Sequence, residues 1–293
     1  MKIGFIFYFI FFIQTCTIKE LLKKIGIFMT NYLDNIKSEK FEVRLAKTEA
    51  EVVAAQKLRY QIFFLEDGAK PSEQMAKEQR DFDEFDTYCD HLIAIDRTVG
   101  NNPEDYVIGT YRLLRKDGAK KLGKWYTQAE FDVEKFNNYN GEVLELGRAC
   151  VKKEFRTKIV MSMLWNGLAA YMFDFDVKLM FGCGSFLGTD VEASKEALSY
   201  LYYNHIASGD LEISARTKNA VPYPVIPREE IEEKRAFMAL PTMIKGYLRV
   251  GCKVSKSIFV DYNFNTFDVC VIFETKNLKQ SYLEHYEKKI KGC

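Results

Sequence analysis

The run Val143-Leu-Glu-Leu-Gly-Arg-Ala-Cys-Val151 places an acid, Glu145, and a base, Arg148, inside an otherwise apolar segment. Such a run predicts a buried strand, and burying two charges is costly unless each has a partner or a substrate. Because residues three apart in a regular strand point to opposite faces, the two side chains can share a pocket only if the strand carries one extra residue. Gly147 is the expected position of that bulge. The alternative is a buried ion pair with no chemical role.

Size and charge limit the class of protein. At 293 residues the chain is long enough to bury a large core, and we expect a single elaborated domain. Lysine and arginine total 42 against 41 acidic residues, so the net charge of +1 lacks the basic excess of a typical nucleic-acid binder. We therefore expect no nucleic-acid partner.

Cysteine and histidine usage bears on compartment and metal binding. The seven cysteines are scattered, with no C-x-x-C pair, and the chain has only three histidines. This pattern is typical of reduced thiols in a cytoplasmic protein and predicts neither a disulfide framework nor a metal site. We also expect no bound cofactor.

The first 28 residues differ in character from the rest. Lys2 is followed by an apolar run, 3–13, which resembles a signal-peptide core and is too short to span a bilayer. No A-x-A-like cleavage site follows it, and Met29 precedes a polar segment. We therefore expect the folded domain to cover 29–293 and residues 1–28 to be a start-site extension. A weak membrane-surface anchor is the alternative.

From about Phe41 onward, strand-like and helix-like segments alternate, which predicts an α/β fold with a mixed sheet flanked by helices. The predicted strands are 41–45, 143–151, 179–183, 257–261 and 267–273, together with a hairpin formed by 91–95 and 107–114. The predicted helices start at Thr48, cover about 155–173, end near Ile206 and cover 242–250, and a charged helix closes the chain. A glycine-rich turn is predicted at 182–188. The stretch 66–88 is predicted as loop. Three prolines bound an insertion at about 207–240.

This order of elements resembles the GNAT superfamily of N-acyltransferases. The resemblance implies that the fourth strand is bulged and splays from the fifth, and that the opening admits the pantetheine arm of an acyl donor. The superfamily's phosphate-binding segment is Q/R-x-x-G-x-G/A, whose glycines let backbone amides at a helix N-terminus contact pyrophosphate. The matching segment 156–161, RTKIVM, keeps the arginine and lacks both glycines.

That departure makes an acyl carrier protein, with one phosphate on its 4'-phosphopantetheine thioester arm, the more natural donor than coenzyme A. Arg156 and Lys158 are expected to meet that phosphate or the acidic surface of the carrier. Gly147 and Cys150 are expected to line the same donor site. The alternative for the two basic residues is a solvated first turn of a helix.

Longer stretches resemble the ornithine Nα-acyltransferases of ornithine-lipid biosynthesis, over about residues 41–286. The matching segments are CDHL (89–92), VIGTYRLL (107–114), ELGRACV (145–151), FGCGSFLGTD (181–190), LSYL (198–201), IKGYLR (244–249) and FNTFDVC (264–270). The resemblance implies transfer of a 3-hydroxyacyl chain to the α-amine of ornithine, giving lyso-ornithine lipid. Because that product is amphiphilic, we expect peripheral contact with the inner membrane surface.

A second resemblance is to the related acyl-homoserine-lactone synthases. It is carried by LRYQIF (58–63), RDFDEFD (80–86), GTYRLL (109–114) and Glu145-x-x-Arg148. It leaves an acyl-homoserine-lactone synthase open as a rival function. A second rival, from another class, is a non-catalytic module that keeps the fold and binds a carrier protein or a membrane.

The chemistry of acyl transfer assigns candidate catalytic roles. An α-ammonium must lose a proton before it attacks a thioester, so the site needs a carboxylate or a water chain near the amine. Glu145 is the candidate base, since burial in a strand raises a carboxyl pKa. Arg112 or Arg148 is expected to hold the substrate carboxylate in bidentate fashion. A backbone amide at the bulge is expected to meet the tetrahedral oxyanion.

The acidic stretch before the hairpin supplies candidates for the rest of the acceptor. Asp81, Asp83 and Asp86 are expected to hold the side-chain ammonium of ornithine, the alternative being a solvated loop. His91, at the start of the next strand, is expected to position that acidic loop in the substrate site.

Overall fold

The computed structural model describes Leu33 and residues 36–278. The segment 1–28, the end of the resemblance beyond 278 and the predicted closing helix lie outside these residues. The strands are β1 Phe41–Leu45, β2 Asp90–Asp96, β3 Val107–Arg115, β4 Glu142–Val151, β5 Val177–Leu187, β6 Ala220–Val221, β7 Lys253–Val254, β8 Ile258–Asp261 and β9 Thr266–Glu274. They form one sheet in the order β1-β2-β3-β4-β5-β9-β8-β6, with β7 paired to β9.

Eight α-helices lie between the strands of the described chain. They are α1 Glu49–Tyr60, α2 Glu73–Glu78, α3 Pro103–Tyr106, α4 Lys116–Leu122, α5 Lys158–Asp174, α6 Lys195–His205, α7 Glu233–Ala239 and α8 Thr242–Val250. The side chain of Thr48 accepts a hydrogen bond from the Glu51 amide and so caps α1, as its sequence predicts. The prediction of loop for 66–88 is wrong at α2, which the Ser72 side chain caps.

Two helices cover opposite faces of the sheet. α5 packs on β1, β2 and β3 within the larger core, where Leu164 and Leu168 meet residues such as Val43 and Leu92. α1 packs on the other face, where Leu58 meets Ile93. The alternation of side chains along β2 therefore fills both cores, as expected of a sheet buried on two sides. Among the described residues, no helix has the length and apolar character needed to cross a membrane.

The pairing of β4 decides where the sheet opens. β4 is antiparallel to β3 but parallel to β5, and its register with β5 runs only from Glu142–Val177 to Glu145–Phe181. Beyond that point β5 stays paired with β9 as far as Leu187. The predicted mixed sheet with splayed fourth and fifth strands is confirmed.

The bulge in β4 is present, but not at Gly147. Thr110 pairs with Cys150 and Arg112 pairs with Gly147, so two residues of β4, Arg148 and Ala149, lie opposite one residue of β3. Arg148 itself adopts a left-handed conformation with φ +52°. The extra residue turns the Arg148 side chain to the Glu145 side of the strand, which is the consequence that the sequence predicts.

The prediction of a turn at 182–188 is wrong for most of this segment, and its glycines serve another purpose. β5 continues through Leu187, and only Gly188, with φ +87°, turns the chain. A Cβ added to Gly182 would lie 2.2 Å from the Leu146 carbonyl oxygen. Gly182 therefore lets β5 pass close to β4 at the last point before the strands diverge.

Replacing Gly182 by alanine is expected to lower the free energy of unfolding by about 1–3 kcal/mol, because the Leu146 carbonyl belongs to a paired strand and has no room to move. Gly147→Ala is the matched control, since nothing lies within 4 Å of its added Cβ. Chemical denaturation of both variants checks this. Equal stabilities of the two variants would contradict the close approach of β4 and β5.

Candidate active site

A cleft opens where β4 and β5 diverge. Its volume is about 330 Å³, and both strands line it, with residues 146–149 on one side and 183–185 on the other. Thr242, Met243 and Tyr247 of α8 form a third wall. The opening therefore lies at the place where the GNAT resemblance predicts the acyl donor to enter.

Two further cavities of different character share lining residues with the cleft. One, of about 280 Å³, is lined by Cys150, Arg156 and apolar side chains of α5, and it shares Tyr111 and Ala149 with the cleft. The other is a wider depression of about 700 Å³ that shares Tyr126, Glu130, Asp261 and Phe264 with the cleft. The cleft therefore shares its walls with both cavities.

Three arginines and three aspartates form an ion-pair network beside the cleft. The Arg59 Nε lies 2.7 Å from Asp81 Oδ2 and its Nη2 lies 2.9 Å from Asp86 Oδ2. The Arg112 Nη1 lies 2.6 Å from Asp83 Oδ1, and the Arg148 Nε lies 3.0 Å from Asp81 Oδ2. Burial would raise the pKa of Asp81, but the charges of Arg148 and Arg59 outweigh it and hold that pKa below its usual value.

This network changes the expectation for the acidic stretch. The predicted residues do come together, but Asp81 and Asp86 are buried and already neutralised by arginines, so a solvated loop is excluded for these two. Asp83 is more accessible and has its Oδ2 3.6 Å from the Arg148 Nη2. The geometry favours these acids as supports for the arginines over direct contacts to an ammonium.

Arg148 is the arginine that faces the cleft. Its guanidinium lies 4.6 Å from the ring centres of both Tyr126 and Phe264, and only 10% of its side chain is exposed. Arg112, by contrast, lies beneath it, bonded to Asp83, and does not line the cleft. Of the two predicted carboxylate binders, only Arg148 has the required access.

Glu145 has a different environment from the one predicted for a base. Its carboxylate accepts backbone hydrogen bonds from Tyr126 at 2.9 Å and Thr127 at 2.5 Å, and it does not line the cleft. Burial raises its pKa, although the two amides oppose that change. Within the described chain it forms no ion pair with Arg148, so the alternative of an inert Glu145–Arg148 pair is wrong. The geometry favours a role in holding the loop that carries Tyr126 and Glu130.

His91 contacts the acidic stretch from the start of β2. Its Nε2 lies 3.0 Å from the Asp86 carbonyl oxygen, to which an Nε2–H donates. Burial lowers its pKa, so the ring is neutral near pH 7. This contact holds the turn that contains Asp86, and His91 is not among the residues that line the cleft.

The predicted donor-site residues divide among three places. Gly147 lines the cleft, whereas Cys150 and Arg156 line the adjoining cavity. Lys158 lies at a separate surface depression beside Ile36. Burial raises the pKa of the Cys150 thiol to about 12, which makes it a poor nucleophile at neutral pH.

Arg156 is held in position beside the donor-side cavity. It donates to the Val151 carbonyl oxygen at 2.9 Å and pairs with Glu66 at 2.6 Å. With 43% of its side chain exposed, it can meet a phosphate at the mouth of that cavity.

Two groups in the cleft have no counterpart in the sequence-based expectations. The hydroxyls of Tyr111 and Tyr247 contact each other where the cleft meets the donor-side cavity. At the opposite end, Glu130, Asp261 and Asp268 offer carboxylate oxygens that all lie within 4.8 Å of one another. The only sequence signal for the latter group is Asp268, an acid in the otherwise apolar part of the strand Thr266–Glu274 that precedes its terminal Glu274.

Comparison with known proteins extends these observations. The family model described as Acetyltransferase (GNAT) domain matches residues 58–166. The L-ornithine N(alpha)-acyltransferase of Brucella abortus (strain 2308) is 38% identical over 247 residues, covering 84% of this chain and 88% of that protein. The protein of the same name from Rhodobacter capsulatus is 36% identical over 252 residues, covering 86% of this chain and 96% of that protein.

Solved structures also match. FeeM, an N-acyl amino acid synthase from uncultured soil microbes, has a TM-score of 0.45 at 9% identity, over 81% of this chain and 92% of that chain. The AHL synthase LasI has a TM-score of 0.42 at 12% identity, over 80% of this chain and 90% of that chain.

Proposed function

This chain belongs to the family of L-ornithine N(alpha)-acyltransferases and has a GNAT fold, and from that premise we propose that it transfers a 3-hydroxyacyl chain from acyl carrier protein to the α-amine of ornithine. It is an acyltransferase by its family. The observation that carries the proposal is the cleft between β4 and β5, which shares lining residues both with a donor-side cavity and with a wider depression that contains Glu130 and Asp261. The product would be lyso-ornithine lipid, and its release implies peripheral contact with the inner membrane surface.

The donor-side cavity supports a thioester on a pantetheine arm. It is largely apolar and about 280 Å³ in volume, and Arg156 lies at its edge. A single arginine without a glycine-rich loop suits one phosphate better than the pyrophosphate of coenzyme A. This supports acyl carrier protein as the donor, with its phosphate at Arg156.

The acceptor would lie with its α-carboxylate on Arg148, whose guanidinium faces the cleft. Its amine, after losing a proton to water in the cleft, attacks the thioester carbon. Amides of β4 beyond Glu145, which have no partner on β5, can donate to the oxyanion. As the carbon–sulfur bond breaks, the Tyr111–Tyr247 hydroxyl pair can relay the second proton of the attacking amine to the departing thiolate, so that the amide and a free thiol form and both hydroxyls end protonated.

Mass spectrometry of products tests the proposal. The full chain is incubated with 3-hydroxyacyl carrier protein and, in separate reactions, with ornithine, lysine, glycine and S-adenosylmethionine. N-acylated ornithine is the expected principal product. A lactone from S-adenosylmethionine would instead indicate a homoserine-lactone synthase, and no product from any acceptor would leave the binding module as the better reading.

The same reactions repeated with 3-hydroxyacyl-coenzyme A address the donor separately. We expect a lower kcat/KM with coenzyme A than with the carrier protein. Equal values would contradict the carrier-protein donor while leaving the acceptor unaffected.

A further inference from the structure

Asp268 is an unusual residue for the middle of a buried strand. It is 2% exposed and lines the cleft, and the Thr266 hydroxyl donates to its Oδ2 at 3.1 Å. Its Oδ1 is buried and, within the described chain, has no hydrogen-bond partner. Leaving a buried carboxylate oxygen unpaired is costly, which suggests that the missing donor arrives with a substrate.

Two more acids converge on the same point. Glu130 is buried and accepts a hydrogen bond from the Cys183 thiol at 3.2 Å. Asp261 uses Oδ1 to accept from the amides of Asn263 and Phe264. Among the residues that the structure describes, no lysine, arginine or histidine forms an ion pair with any of the three acids.

The pKa values of Glu130 and Asp268 are both raised, and the charge of Arg148 offsets only part of the rise at Glu130. Burial, reinforced by the charge of Asp268, raises the pKa of Glu130 well above its usual range. Burial raises the pKa of Asp268 to about 7. The side chain of Ser185, which pairs with Asp268 across β5 and β9, opposes that rise, and the charge of Asp261 adds to it. A bound cation would reverse both changes by favouring the ionised carboxylates.

The cavities that these three acids line indicate which part of the substrate they contact. Glu130 and Asp261 line both the cleft and the wide depression, whereas neither lines the donor-side cavity. The thioester, which enters from the donor side, would therefore be remote from the acids. Resting on the proposed function, we propose that Glu130, Asp261 and Asp268 form a subsite for the side-chain ammonium of the acceptor, and so select a diamino acid over a neutral one.

An ammonium fits this subsite better than a divalent metal ion. An ammonium presents three N–H donors, which matches one oxygen from each of three carboxylates. Magnesium requires about six oxygen ligands and calcium about six to eight. Phe259, Phe264 and Cys183 occupy part of the surrounding wall, which limits the number of oxygen ligands that could be added.

The test compares ornithine with norvaline, which has the same carbon chain and lacks the terminal ammonium. For Asp268→Asn, kcat/KM with ornithine is expected to fall by about 10- to 100-fold, as for loss of a charge-assisted hydrogen bond. With norvaline, which makes no such contact, we expect little change. Asp96→Asn is the matched control, because Asp96 is equally buried at the end of β2 and does not line the cleft.

A second variant and a metal control complete the design. Glu130→Gln is the second variant, for the case in which Asp268→Asn does not fold. It keeps an oxygen that accepts the hydrogen bond from Cys183, and we expect the same selective loss of kcat/KM with ornithine. Equal losses with both acceptors, or no loss with either, would overturn the subsite. So would inactivation of wild type by EDTA with recovery on adding Mg²⁺. Wild type that acylates neither ornithine nor norvaline would refute the proposed function itself, and the subsite with it.

Discussion

Replacing Arg148 by glycine is expected to reduce kcat/KM for ornithine by about 10²- to 10³-fold, the range for losing one partner of a buried, hydrogen-bonded charge pair. The choice of glycine follows from the backbone. Arg148 holds φ at +52°, a conformation that glycine adopts without strain and that costs other residues about 1–2 kcal/mol. A strained arginine at a cleft indicates that its side chain is needed there.

The measurement pairs steady-state kinetics with thermal denaturation. Arg148→Gly should retain the bulge and remain folded, because Asp81 keeps Arg59 as its partner. Arg148→Ala, which retains the strained φ, should lose as much activity and be less stable than Arg148→Gly. If Arg148→Gly kept near-normal kcat/KM, the assignment of Arg148 to the substrate carboxylate would be wrong.

Replacing Arg59 by methionine is expected to destabilise the fold by about 3–5 kcal/mol, the usual cost of breaking a buried ion pair from one side. Arg59 is fully buried and donates to both Asp81 and Asp86. Methionine fills most of the same volume, so the loss reports the two buried carboxylates that lose their shared arginine, Asp81 keeping only Arg148 and Asp86 only Arg112 within the described chain, and not a cavity.

Urea denaturation measures the change, and Arg235→Ala serves as the control. Arg235 pairs with Glu196 on the surface, with 64% of its side chain exposed, so its loss should have little effect. Destabilisation by Arg59→Met should lessen as the pH falls, because Asp81 and Asp86, whose pKa values are held low by arginines in the native protein, become protonated more readily without Arg59. A destabilisation that does not depend on pH would point to packing as its cause.

Much of the fold was predictable because hydrophobic periodicity reflects local geometry. The bounds of β1 and the pairing of β2 with β3 follow the sequence pattern closely. The bulge was predictable because Glu145 and Arg148 are three residues apart, and a regular strand would place their side chains on opposite faces. Its position was not, because the sequence signal for a left-handed conformation is glycine, and here Arg148 adopts it.

The site was less predictable because its key contacts involve backbone groups and distant residues. The type and burial of Glu145 predict a catalytic base. Its hydrogen-bond partners, however, are the backbone amides of Tyr126 and Thr127, and a sequence gives no signal for contacts to backbone groups. The glycines at 182 and 184 read as a turn, although they serve close packing of strands. Glu130 and Asp268 are 138 positions apart in the chain, so only the folded structure brings them together.

The divergence of β4 from β5 also has a consequence for solubility. It leaves part of β4 with unpaired amides and carbonyls inside the protein, and such an edge is a template for association with other chains. Thr242, Met243 and Tyr247 of α8 line the cleft into which that edge opens. The wall that shapes the substrate cleft thus also guards against aggregation, and substitutions that loosen α8 to admit larger acyl donors would be expected to expose the edge.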